Sequence, residues 1–156
     1  MSIIFADFDG CLHPETSDQQ FSNLHYLWAI LRACPHVEVV FSTSWREAYS
    51  MEHLVEFVTF GGGEDLEHRF IGATPQIISA RGTYTSSATD HSREMECRLW
   101  IEGNGRQGQP WIALDDIKDW FSPGCPQLHL VNYKTGLTEA DATALIEELQ
   151  TWKVST

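Results

Sequence analysis

The stretch Ile3-Ile4-Phe5-Ala6-Asp7-Phe8-Asp9-Gly10-Cys11-Leu12 decides how the rest of the chain is read. Its first four residues are apolar and uncharged, the pattern of a strand buried on both faces, and two carboxylates one residue apart follow at once. Like charges so close raise each other's pKa unless a cation lies between them, so Asp7 and Asp9 at the mouth of an apolar strand predict a divalent-metal site. The plainer alternative is a polar turn in which Gly10 takes a positive φ angle and both Asp side chains are solvated. A calcium loop matches poorly, because Gly10 directly follows the second Asp and Leu12-His13-Pro14 supplies no series of oxygen ligands.

Outward from this strand, helices and strands alternate. Leu24, Leu27, Trp28 and Leu31 fall at helical spacing, with Ser22 as an N-cap and Pro35 beyond the end. Val37–Phe41 reads as a second buried strand, stopping at Ser42-Thr43-Ser44-Trp45-Arg46. Met51, Leu54, Val55 and Val58 make the next helical stripe, capped by Ser50 and ended by Gly61-Gly62-Gly63. Arg69–Gly72 is a short strand, and residues 74–90 form a polar, Ser/Thr-rich connection. Ser92–Glu102 is expected to be a helix with Met95 and Leu99 on one face. Trp111–Leu114 is a strand ending in Asp115-Asp116, and Leu128–Val131 a last strand. Thr138 and Asp141 then form a capping box for a helix whose Leu145, Ile146, Leu149 and Trp152 form an apolar stripe. The fold class this predicts is α/β: one Rossmann-like domain over residues 1–156, mostly parallel sheet with helices on both faces. Functional residues of such sheets gather at the carboxyl ends of the strands, which brings Asp7/Asp9, Ser42/Thr43 and Asp115/Asp116 to one edge.

With 156 residues the chain can bury a real core without staples. Acidic residues outnumber basic ones 22 to 10, a formal charge of −12, so nonspecific nucleic-acid binding is not expected. Cys11, Cys34, Cys97 and Cys125 show neither a C-x-x-C pair nor zinc spacing, which points to a reducing, cytoplasmic setting. No window approaches a membrane span and no leader is visible, so no membrane partner is expected.

Apolar strands ending in DFDGCLHP, VVFSTSWRE and ALDD, followed by TGLTEAD, resemble the haloacid dehalogenase (HAD) superfamily, in particular the small capless domains grouped with the "Swiss Army Knife" RNA-repair class. The resemblance spans nearly the whole chain. It implies a magnesium-dependent phosphatase in which Asp7 attacks phosphorus to form an aspartyl-phosphate while Asp9 protonates the leaving oxygen and later activates water. It further implies Mg2+ held by Asp7, the Asp9 main-chain carbonyl, Asp115 and Asp116, the last favoured over Asp115. Of Ser42 and Thr43, Thr43 fits related families better as the phosphate-binding hydroxyl, and Ser44 suits a turn cap. Arg93 occupies the place of the family's basic residue, usually Lys, with Arg98 or Arg46 as alternatives. His13 and Arg46 read as flap contacts or surface ion pairs, Asp119 as surface charge, and the aromatics as core. Neither gap between motifs holds a cap domain, so an open site and a phosphate on something large are expected, a nucleic-acid end among the candidates. A protein partner or oligomer could supply the missing roof. The rival class is a noncatalytic binding or regulatory domain that keeps the fold and the metal pocket, and a phosphatase of small metabolites or nucleotides is the other alternative.

Overall fold

The computed structural model describes residues 1–16, 18–77 and 91–152. Among the described residues five strands and four α-helices follow in chain order, with short 3-10 turns between some of them: β1 (Ser2–Ala6), α1 (Leu24–Ala33), β2 (Val37–Phe41), α2 (Met51–Thr59), β3 (Phe70–Ala73), α3 (Ser92–Gly103), β4 (Trp111–Asp115), β5 (Leu128–Leu130) and α4 (Glu139–Thr151). The strands form one sheet of order β3-β2-β1-β4-β5, and every neighbouring pair is parallel. The expected α/β class is therefore what the chain adopts, with an all-parallel sheet.

β1 is the central strand, and all five of its residues are buried, four of them the apolar run Ile3–Ala6 that a strand covered on both faces requires. Its alternate residues feed two cores. Ile4 and Ala6 face a layer built by α1, α2 and α4, including Leu27, Leu31, Leu54, Val58, Leu145 and Leu149. Ile3 and Phe5 face Cys97, Trp100 and Ile101 of α3, with Phe5 edge-on to Trp100 and Trp111. Each fully buried Leu or Phe contributes roughly 1.5–3 kcal/mol relative to exposure.

Two helix starts follow the sequence cues: Ser50 accepts the His53 N–H at the head of α2, and Thr138 with Asp141 forms a reciprocal capping box on α4. At α1 the cue fails. The helix begins at Leu24 after Asn23, and the Asn23 amide donates to the Thr135 and Leu137 carbonyls (2.8 and 2.7 Å), joining α1 to the loop before α4.

The larger departure is α3. Met95 and Leu99 are 52 % and 45 % exposed, and the buried stripe is Arg93, Glu96, Cys97, Trp100 and Ile101. The helix turns two charged residues inward because its first turns lie over the carboxyl ends of the strands, where Arg93 finds Asp7 and Asp115. The expected connection over residues 74–90 lies, from 78 onward, outside the described residues. Among the described residues no helix is long and apolar enough to cross a membrane, and Cys11, Cys34 and Cys97 are buried as thiols.

Arg69 is a buried clamp. Its guanidinium donates to the carbonyls of Val37 (2.8 Å), Leu31 (3.0 Å) and Cys34 (2.6 Å), fixing the end of α1 against the start of β2. Replacing it leaves three carbonyls without that donor, so Arg69→Met is expected to lower the unfolding free energy by about 2–4 kcal/mol. Urea denaturation measures this, and a loss below about 1 kcal/mol would mean that the carbonyls find other partners.

Candidate active site

Strand pairing continues past the strand ends and brings the motif residues level. The Ser42 N–H donates to the Ala6 carbonyl (2.8 Å), Asp7 N–H to Leu114 (3.1 Å) and Val131 N–H to Asp115 (2.9 Å). Asp7 and Asp115 both fall on the α3 side of the sheet, and Arg93 reaches between them: its Nη1 lies 3.5 Å from Asp7 Oδ1 and 3.7 Å from Asp115 Oδ2. The same Nη1 donates to the Ser42 carbonyl, and the guanidinium lies 4.6 Å over the Trp120 ring. The Phe8 N–H holds Asp7 Oδ1 at 2.8 Å, and the Ile117 N–H holds Asp115 Oδ1 at 3.0 Å.

Asp116 comes in from the other side. Potential ligand atoms of Asp7, Cys11 and Asp116 all lie within 4.8 Å of one another. Gly10 makes room for this approach: at φ +78° a Cβ there would meet Asp116 Oδ2 at 2.5 Å. Only glycine tolerates both that backbone and that contact.

Three carboxyls therefore share a low-dielectric pocket with one guanidinium. Burial is the main reason that the Asp7 carboxyl is pushed up to about 7; Arg93 opposes the shift and Asp116 adds to it. Burial, then Asp7, raises Asp115 well above the usual range, and burial raises Asp116. Asp115 Oδ2 is buried without a hydrogen-bond partner. A pocket so short of positive charge fits a divalent cation. Burial and the carboxylates around it also push the Cys11 thiol well up, and the other donors on offer are oxygens. An oxygen set matches a hard ion such as Mg2+.

Asp9 stands at the rim with its side chain 52 % exposed. His13 Nδ1 accepts the Phe21 N–H (3.0 Å), so the ring proton sits on Nε2 and is donated to Asp9 Oδ1 at 2.8 Å. The Trp45 indole N–H donates to Asp9 Oδ2 at 3.0 Å. These bonds, that from His13 first, hold the Asp9 carboxyl below its ordinary range. His13 is 3 % exposed, so the expectation of a surface contact is corrected: it is a buried anchor for Asp9.

The remaining candidates separate by position. Thr43 is buried, and its Oγ1 accepts the Trp45 N–H (3.3 Å) at the head of the 3-10 turn Ser44–Glu47, so Thr43 rather than Ser44 is the cap. Ser42 Oγ is buried with no hydrogen-bond partner. Arg93 is buried among the carboxyls, whereas Arg98 lies outside, paired with Glu94 at 3.0 Å and stacked on Trp111. Arg46, expected on the surface, has a buried side chain whose guanidinium donates to the Thr43 carbonyl (2.6 Å) and lies 3.1 Å from Glu96. Glu96, which sequence reasoning missed, is fully buried between Arg46 and Arg93 and accepts the Ile77 N–H at 2.9 Å. Its signal was available: Arg93 and Glu96 are three residues apart, on one helix face.

A parallel α/β sheet with acidic residues at the ends of β1 and β4 and a basic residue at the head of α3 is the layout of a HAD domain. The chain matches the family described as HAD domain in Swiss Army Knife RNA repair proteins over residues 3–142, and it belongs to that family. No curated protein and no solved structure matches it.

Two predictions come from this geometry. The raised carboxyls bind more protons folded than unfolded between their ordinary value of 3.8 and about 7 for Asp7, so in that window stability rises as pH falls. The metal-free protein should melt at a higher temperature near pH 6 than near pH 8, and either saturating Mg2+ or Asp7→Asn should shrink the difference. The lowered groups, Asp9 and Glu94, act only at more acid pH. Scanning calorimetry at both pH values decides it, and an unchanged melting temperature would remove the charge-crowding argument. Second, Arg93→Ala should cost about 100-fold or more in turnover of a phosphate ester, the scale of one lost charge-stabilising donor, with Arg98→Ala nearly silent. The reverse ranking would move the role to Arg98.

Proposed function

We propose that the chain is a magnesium-dependent phosphomonoesterase that works through an aspartyl-phosphate on Asp7, acting on a nucleic-acid end or another large phosphorylated substrate in a reducing, cytoplasmic compartment. The observation that carries this reading is the trio of crowded carboxyls, Asp7, Asp115 and Asp116, around the single Arg93 guanidinium. Asp7, Asp116 and Asp115 would hold the metal, with the Asp9 carbonyl as the family resemblance implies. Bound there, Mg2+ would supply positive charge for the phosphoryl oxygens and return the raised carboxyls to their ionised forms.

In the first step a carboxylate oxygen of Asp7 attacks phosphorus, the bond to the leaving oxygen breaks, and that oxygen takes the proton of Asp9. In the second, Asp9 takes a proton from a water that attacks the phosphorus, which frees the Asp7 carboxylate and inorganic phosphate. Asp9 rests ionised under its bonds from His13 and Trp45, the form required in the second step. A phosphate dianion arriving beside it raises its pKa, which favours the protonated form required in the first. Arg93, whose guanidinium lies beside Asp7 and Asp115, would stabilise the charge that develops there.

A noncatalytic binding domain is the second reading. It would need the metal pocket but gains nothing from an acid held at the rim by two dedicated donors. Phosphate release from 5′- and 3′-phosphorylated RNA ends and from an aryl phosphate, with and without Mg2+, separates the two. Metal-dependent release abolished by Asp7→Asn is the expected result. Wild-type turnover in Asp7→Asn would refute the covalent route, and metal binding without release from any ester would favour the binding domain. Because both gaps between motifs are too short for a cap domain, a phosphorylated oligonucleotide end should show a higher kcat/KM than a sugar phosphate, since only the larger ligand supplies binding energy in place of a roof.

A further inference from the structure

A cavity of about 460 Å³ and the reaction centre meet at one residue, since Trp45 lines the cavity and bonds Asp9. Trp45 is the wall they share. Its indole N–H bonds Asp9, and its ring meets those of Phe21 (5.2 Å), Tyr49 (5.7 Å) and Phe57 (5.9 Å). Tyr49 is 43 % exposed and Phe60, also lining the cavity, 77 %. Phe21, Trp45 and Phe57 pack against the core on one side and on the other line an opening of the volume typical of small-molecule sites.

What could fill it is bounded by position and chemistry. An occupant one indole ring away from Asp9 is most simply a part of the molecule that carries the scissile phosphate. The walls offer aromatic faces and edges to a flat partner. Gln20 and Glu56 also line the cavity, an amide and a carboxylate that could accept from N–H groups at the edge of such a ring. An aliphatic tail would leave Glu56 desolvated, and a second phosphate would be repelled by Glu56 within a molecule of net charge −12. A neutral, planar, hydrogen-bonding heterocycle meets all three conditions.

We propose that this cavity stacks the nucleobase of the nucleotide whose phosphate is removed. The proposal rests on the phosphatase reading above for the placement of the phosphate. It assigns the substrate a nucleotide unit, and it accounts for how an acidic protein could hold a nucleic-acid end: through one neutral base and one metal-bridged phosphate, with no contact along the backbone.

Binding to the non-turning-over Asp7→Asn protein in Mg2+, measured by calorimetry, tests it directly. Adenosine 5′-monophosphate should bind roughly tenfold or more tightly than ribose 5-phosphate, the scale of stacking one base on an aromatic side chain. Tyr49→Ala, at a half-exposed residue, and Phe57→Ala, added to Asp7→Asn, should each weaken the nucleotide by about fivefold or more and leave ribose 5-phosphate unchanged. A 5′-phosphorylated RNA dinucleotide should show the same base dependence, and a further gain in affinity over the mononucleotide would assign the strand terminus as the source. Equal affinity for nucleotide and ribose phosphate, or equal losses for both in the two variants, would overturn the proposal. Base-dependent binding with no hydrolysis by the wild-type protein would retire the phosphatase and leave the cavity standing. Hydrolysis without base dependence would do the opposite.

Discussion

The constraint on which the molecule depends is the burial of Asp7, Asp115 and much of Asp116 with a single guanidinium among them. Isolated buried carboxylates are costly, and one cation cannot offset three. The fold meets the cost with geometry. The ends of β1 and β4 supply Phe8 and Ile117 N–H donors to Asp7 and Asp115. Helix α3 opens beside them with Arg93 in its first turn, an unfavourable place for a cation with respect to the helix dipole but offset here by the carboxylates it faces. Glu96 and Arg46 continue the alternation of charge away from the site and keep the guanidinium plane from swinging. What is left over is a deficit of positive charge, which a bound divalent ion would fill.

The two faces of the sheet divide the work. Beneath it, α1, α2 and α4 close an apolar core from Leu, Ile, Val and Phe side chains. Above it, α3 is half core and half site: Cys97, Trp100 and Ile101 pack on Phe5, while Arg93 and Glu96 a turn or two earlier serve the strand ends. A helix with both duties cannot carry a clean apolar stripe. This explains why Met95 and Leu99, the residues that looked like its buried face, point outward.

That helix also marks the limit of what the sequence made legible. The strands could be read because each is a short apolar run stopped by a polar cluster, and the parallel direction of β1 to β4 follows from the helices between them, whereas β5 joins parallel to β4 with no α-helix between. The acidic residues at the ends of β1 and β4 were legible for the same reason, since strand ends are where a parallel sheet converges. Side-chain partnerships were not. Nothing in the spacing of His13 and Asp9 tells that the Phe21 N–H would fix the imidazole tautomer from eight residues away. That Trp45 and Phe21 would wall a cavity as well as pack on the core was not legible, because hydrophobicity alone does not distinguish the two duties. Thr43 and Ser42 remained ambiguous in the sequence because a one-residue register decides which hydroxyl faces which side.

The acidic surface and an expected nucleic-acid substrate look opposed, and the conflict is one of range. Long-range attraction of a polyanion needs a basic surface, and a charge of −12 denies it. Within the site only close charges count, because they act at a few ångströms in a low dielectric: Arg93, together with a divalent ion once bound, would offset the buried carboxyls there, while distant carboxylates are screened by salt. A protein so arranged would ignore the body of a strand and respond only to an end that can reach the pocket. Selectivity for ends over interior phosphates would then come from the repulsive surface itself, without any contact that reads sequence.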